Sequence, residues 1–344
     1  MIQLDQAKID KLIYHRLFDE EGGEPDLNEA PYFRENAEEE EVLKRIFLKP
    51  FAQTAATFEF MHEVELKLNP LYSLSKGLEN GRDFTETSQL ICKHLHQVSR
   101  HPAIPGGDLF IIAFQDVQMG NAVYNALGIY KIENKDFFLE TAEVITGTPG
   151  LRIKQGIGGK RFDKACLVLF TEEEAYTVLM MEKAGSETDY WQRAFIGLKS
   201  KQDDVNHTNG FLTLTKNFVT QQYPEEFVVS RADQIDLLNR SVDFFKKHEQ
   251  FDKQEFENEV LQDAEVIKSF HDYNKQFQRE NEWQLADQFD ISAIAVKKQQ
   301  RIFKSVLKLD KNFHIYIHGN RELIEQGTDP DGRKFYKIYY DNEA

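Results

Sequence analysis

DLFIIAFQDVQMGNAVYNALGIYKI, residues 108–132, decides the fold. It holds two runs rich in apolar, β-branched and aromatic residues, 108–117 and 122–132, separated by a short turn segment too brief for a helix. The same pattern continues in KDFFLETAEVI (135–145), KACLVLF (164–170) and AYTVLMME (175–182). Parallel strands need a crossover of about a dozen residues or more, so strands spaced this closely are predicted to pair antiparallel. AKIDKLIYHRL (7–17) adds an opening strand. DFTETSQLICKHLHQVSRH (83–101) reads as a helix, with Asp83 and Glu86 spaced as a capping box and Phe84, Leu90, Ile91 and Leu95 as its apolar stripe. Residues 1–185 are therefore expected to form an α+β domain with a mostly antiparallel sheet.

From about residue 186 the pattern turns helical. DYWQRAFIGL and HTNGFLTLTKNFVTQQY lead to Pro224, Ser230 and Asp233 cap ADQIDLLNRSVDFFKKH, Asp252 and Glu255 cap KQEFENEVL, and a further helix covers roughly 264–279. Residues 290–344 are read as returning to strands, punctuated by a DKN turn and a GTDPDG turn. The fold class expected is α+β. A second domain, 186–344, is helical and ends in a basic β-hairpin subdomain at about 290–344.

The 41% hydrophobic content and 27 Phe of the 344 residues supply a packed interior and argue against disorder. No apolar run reaches the roughly 18 residues of a membrane span. MIQLDQAKID shows no secretory pattern, and two cysteines, Cys92 and Cys166, read as reduced core thiols, so a cytoplasmic protein is expected.

Charge is unevenly spread. The whole chain carries −16, yet KKQQRIFKSVLKLDKNFHIYIHGNR (297–321) holds Lys297, Lys298, Arg301, Lys304, Lys308, Lys311 and Arg321 against Asp310 alone. A hairpin turning at Asp310-Lys311-Asn312 sets Leu309 opposite Phe313. One face then collects Phe303, Ser305, Leu307, Leu309, Phe313, Ile315 and Ile317 as a core surface. The other carries Lys304, Lys308, His314, Tyr316 and His318, with Ile302 and Val306 between them. Cations interleaved with aromatic rings suit a nucleic-acid backbone; the alternative is a solvated face whose lysines discourage edge pairing.

A second basic cluster, Arg152, Lys154, Lys160, Arg161 and Lys164, surrounds Gly156, Gly158 and Gly159. Those glycines would let backbone N–H groups approach an anion, although the spacing is that of neither a Walker A loop nor a Rossmann turn. A flexible inter-strand loop is the other reading. By contrast, residues 19–41 hold eleven acids against Arg34. They read as a solvated Gly- and Pro-containing loop running into a helix, or as an acidic patch that repels nucleic acid or docks a basic partner.

Catalytic signatures are missing: there is no G-x-S-x-G and no H-E-x-x-H. Cys92, His94, His96 and His101 lie close in sequence, but residues two apart on a helix point away from each other, so no metal site is expected there and no cofactor.

YWQRAFIGLKSKQDDVNHTNGFL (190–212) and FDISAIAVKKQQRIFKSVLKLDKNFHIYIHG (289–319), with its Phe289-Asp290 dipeptide, resemble the bacterial nucleoid-associated protein family of the NdpA type. The resemblance covers most of the chain and implies a non-enzymatic protein of the bacterial cytoplasm and nucleoid. The partners expected are DNA, without sequence preference, and other nucleoid proteins; oligomeric state stays open. Alternatives are an adaptor at the nucleoid with weak DNA affinity, and a metal-dependent nuclease-like enzyme. The candidate contact residues rest on the charge pattern alone.

Overall fold

The computed structural model describes residues 2–18, 23–34, 36–54, 56–101, 103–145, 148–158, 162–182, 190–281, 283–300, 306–317 and 321–342. The chain forms two compact units, Met1–Lys201 and Gln202–Ala344. The first runs past the 185/186 division suggested by the pattern because Tyr190, Trp191, Phe195 and Leu198 all pack into its core.

Among the described residues unit 1 is built on ten strands: β1 (Ile2–Gln3), β2 (Lys8–Leu17), β3 (Phe58–Phe60), β4 (Gly107–Met119), β5 (Ala122–Ile132), β6 (Asp136–Ile145), β7 (Thr148–Gly156), β8 (Lys164–Leu169), β9 (Thr177–Glu182) and β10 (Leu198–Ser200). Eight form one antiparallel sheet in the order β1-β4-β5-β8-β9-β3-β10, with β2 also paired to β4. Helices cover both faces. On one, Ile111, Ile129, Cys166 and Val168 meet α2 (Pro70–Glu79), α3 (Phe84–Val98) and a π-helical turn, Tyr190–Ile196. On the other, Ile112, Phe114, Tyr130 and Leu167 meet Phe47 of α1 (Ala37–Phe47). Two-sided cover is why β8 is apolar from Ala165 to Leu169: its successive side chains point to opposite faces, and all six residues of the strand, Lys164 included, are buried. Cys92 and Cys166 are free and buried, and burial pushes the Cys92 thiol up to about 12.

Within the acidic segment, residues 26–32 and 36–41 are held by specific contacts. Asp26 exchanges backbone hydrogen bonds with Arg16, Tyr32 N–H donates to Leu12 O, and Asn28 N–H donates to Nδ1 of the buried His15. Residues 26–32 thereby cover the outer edge of β2, an edge that would otherwise present unpaired backbone groups. Asn36 then caps α1, whose first turn places Glu38, Glu39 and Glu40 where the helix dipole favours acids.

Among the described residues β6 and β7 pair only with each other and form a ribbon outside the sheet. This corrects the loop reading for the first part of the second basic cluster: Arg152 and Lys154 lie on a strand, and Phe138 packs against the bare backbone of Gly156. Turn-forming residues within 148–156 hide a strand that cross-strand pairing imposes.

Unit 2 contains α4 (Asp204–Asn217), α5 (Tyr223–Glu226), α6 (Arg231–Lys247), α7 (Lys253–Phe256), α8 (Ala264–Glu280) and α9 (Ala293–Gln300). Its strands are β11 (Gln250–Asp252), β12 (Gln288–Asp290), β13 (Val306–Leu309), β14 (Phe313–Tyr316), β15 (Ile324–Thr328) and β16 (Lys334–Ile338), paired as three hairpin-like ribbons. β11 and β12 share the sequence Gln-Phe-Asp and pair head to tail, so Phe251 faces Phe289 with ring centroids 4.7 Å apart. Around them Phe211, Phe245, Phe256 and Phe270 complete an aromatic core. Gly210 in α4 leaves room there for Leu285 and Trp283, which a Cβ would crowd. The expected return to strands comes with β13–β16, but α9 intervenes after residue 290. Its Ala295 and Val296 are buried, and its entry is held by Ser292 N–H donating to Thr208 Oγ1 in α4.

Candidate nucleic-acid interface

The ribbon β13–β14 adopts the register read from its sequence: Leu309 faces Phe313, Lys308 faces His314, Leu307 faces Ile315 and Val306 faces Tyr316. The turn is closed by Asp310 at φ 51°, a left-handed conformation that Asp tolerates. Alternation sends Leu307 and Ile317 into a small core with Ala232 and Ile235 of α6 and Ile324 of β15, with Leu309 and Ile315 half-buried beside it. Two polar ties reinforce the docking. Asn239 Nδ2 donates to Ile317 O at 3.1 Å, and Arg321 Nε pairs with Asp233 Oδ1 at 2.6 Å. Burial raises the Asp233 carboxyl, but the hydrogen bonds from Ser230 and the Arg321 guanidinium outweigh it and hold the group below its ordinary range.

With its apolar face on α6, the ribbon turns Lys308, His314 and Tyr316 to solvent, and Lys311 projects from the turn. Phe313 departs from expectation. Sequence alternation assigns it to the core, yet it is 62% exposed, because the tip carries it beyond the small apolar core around α6. It adds a second bare aromatic ring to Tyr316, which is 66% exposed. Alternation alone hides it; only the extent of the helix beneath reveals it. Lys297 and Lys298 are exposed in the last turn of α9, which also packs on α6. Cations at a helix C-terminus are favoured by its dipole. Arg301, Lys304 and His318, together with Ile302, Phe303 and Ser305, lie outside the described residues.

The basic residues separate into two groups. Among the described residues Lys297, Lys298, Lys308 and Lys311 form no ion pair. Others are engaged within the fold: Arg321 holds Asp233, Lys154 holds Glu140 at 2.7 Å, and Lys164 holds Glu182 at 2.7 Å. Lys164 is only 4% exposed, with its ammonium 5.1 Å from the centre of the Tyr190 ring. Arg152 is exposed on the ribbon β6–β7, and Lys160 and Arg161 fall outside the described residues. Arg152 and Lys154 thus share a ribbon, while Lys164 is embedded in the main sheet.

Among the described residues one group could hold a metal ion: His248, Glu255 and Glu259, whose ligand atoms lie within 4.8 Å of one another. The imidazole stacks on Phe244, with Nδ1 3.8 Å from Glu255 and Nε2 3.4 Å from Glu259. One carboxylate thus lies near each ring nitrogen. His94, by contrast, bonds Phe195 O at 2.9 Å, and Nδ1 of His101 accepts from Ala103 N–H.

No helix among the described residues is long and apolar enough to cross a membrane. Among curated proteins no match to the chain is found. The family model for nucleoid-associated protein YejK matches residues 13–344, spanning both units, and the chain belongs to that bacterial nucleoid-associated protein family.

Proposed function

We propose that this protein binds DNA, without sequence preference and without catalysis, through the solvent face of β13–β14 and the end of α9. Lys297, Lys298, Lys308 and Lys311 neutralise phosphates, while Tyr316 and His314 offer rings and hydrogen-bonding groups to the backbone and sugar; Phe313 is an exposed ring at the tip but belongs to the ribbon's other face. The observation that carries this reading is the set of four lysines with no ion pair among the described residues, in a chain of net charge −16. Lysines already paired with carboxylates would have to give up those partners to meet a phosphate; these four would not. The setting is the nucleoid within the bacterial cytoplasm, with other nucleoid proteins as further partners. Arg152 supplies a secondary contact, and Arg321 serves mainly to hold the ribbon on α6.

The test is duplex-DNA affinity at several salt concentrations for the wild type and for a variant with all four lysines replaced by Ala. Every phosphate that is no longer neutralised lowers the salt slope by about 0.9, and affinity should fall similarly on unrelated sequences. Unchanged affinity and slope would move the reading to an adaptor that reaches the nucleoid through other proteins. Divalent-metal-dependent loss of DNA integrity would instead establish a nuclease.

A further inference from the structure

The ribbon β6–β7 presents an unusual surface. Alternation places Phe137, Leu139, Leu151 and Ile153 on one of its faces, with Leu139 directly opposite Ile153. All four are bare: 72%, 68%, 67% and 73% exposed. The opposite face carries Arg152, the Lys154–Glu140 ion pair and Phe138 over Gly156. A two-stranded ribbon alone in water is marginal, and a contiguous apolar patch of this kind on a soluble chain marks a contact site.

We infer that the apolar face of β6–β7 is an interface between two copies of this chain, packed face to face across a two-fold axis. Three observations select a second copy as the occupant. The four side chains that make up the described apolar face carry no charge, so its partner must offer apolar surface of similar shape. A two-fold interface brings the same patch from each copy, so the face is complementary to itself. The exposed parts of the four side chains total on the order of 500 Å², and two copies together reach about the 1,000 Å² that a specific association needs. DNA is a poor occupant, since the cations of this ribbon point the other way and Lys154 is already paired.

The experiment measures the mass of the full chain in solution by light scattering and sedimentation over roughly 1–100 μM, the range in which an interface of this size dissociates. The wild type should move toward twice the chain mass. Leu139→Asp with Ile153→Asp should shift the monomer–dimer midpoint by at least about tenfold, because each pairing would then bury unpaired carboxylates. Circular dichroism should stay unchanged, since both side chains are exposed. A second measurement does not depend on disrupting the ribbon. Both native thiols are buried, so Ile153→Cys adds the one accessible thiol among the described residues, and a short bis-maleimide should cross-link it into dimers. Lys154→Cys, one residue along and on the other face, should not cross-link. A wild type that stays monomeric, an aspartate variant that still dimerises, or equal cross-linking of both cysteine variants overturns the inference. A monomeric wild type whose DNA affinity falls in the aspartate variant would identify the face as a DNA contact instead.

Discussion

The two ribbons β6–β7 and β13–β14 are built alike and left in opposite states. Each is an antiparallel pair whose alternation yields one apolar and one polar face. In β13–β14 the apolar face is covered by α6, so cations and rings remain outward. In β6–β7 the apolar face is uncovered, and its cations sit on the other side, one of them already paired. Alternation decides what the two faces are; the neighbouring helix decides which one the solvent meets. The same local geometry therefore supports a candidate phosphate-binding surface in one unit and a candidate self-association surface in the other.

The largest expected effect comes from truncating the apolar face of each ribbon. Leu307→Ala removes a side chain 2% exposed and should destabilise unit 2 by about 2–5 kcal/mol. Leu139→Ala, measured at a protein concentration low enough to keep single chains, should change stability by less than about 0.5 kcal/mol. Denaturant unfolding followed by hydrogen exchange in each ribbon checks both, and equal losses would break the comparison.

Acid should separate the units that carry the two ribbons. His15 in unit 1 is fully buried, donates from Nε2 to Ser88 Oγ at 3.0 Å and accepts Asn28 N–H on Nδ1, so it folds in the neutral form. Burial lowers its pKa from 6.5 to about 4. The unfolded chain therefore binds the proton first as pH falls. Stability from this group is complete above about pH 6.5 and is lost progressively down to about pH 4, by as much as about 3 kcal/mol. Protonation of Nδ1 also repels Asn28 N–H and loosens the strap of residues 26–32. Unfolding midpoints between about pH 7 and about pH 4 should fall for the wild type and fall less for His15→Gln. Identical pH dependence in the two proteins would remove His15 from this account.

The smallest effect compares single lysines on the two ribbons. Lys308→Ala should lower the salt slope of DNA binding by about 0.9, whereas Lys154→Ala should leave it nearly unchanged, since Glu140 already occupies that ammonium. Both variants should fold as the wild type does. A larger slope change at Lys154 would invert the assignment of the two surfaces.

Much of this arrangement was legible before any tertiary packing. The Leu309–Phe313 register followed from period-two alternation around Asp310-Lys311-Asn312. Ser230 and Asp233 announced α6 through a reciprocal capping box, and Asp83 announced α3 by accepting the Glu86 N–H. Residues that serve two conformations were less legible. Ala293–Gln300 mixes good helix formers with Ile and Val, and it becomes α9 because Ala295 and Val296 find buried places. Thr148–Gly156 carries turn residues and becomes a strand because β6 pairs with it. Phe313 obeyed alternation and still missed the core, since the packed patch around α6 is small.

The sequence by itself determined where charge accumulates, which side chains share a strand face, and where the capped helices α3 and α6 begin, because these depend on neighbours within a few residues. Tertiary structure alone decided which cations are available. Lys164 meets Glu182 across two strands, and Arg321 meets Asp233 across 88 positions of chain. An ion pair and a covering helix act through space at a few ångströms, and the folded chain brings together partners whose distance along the sequence carries no signal of their meeting.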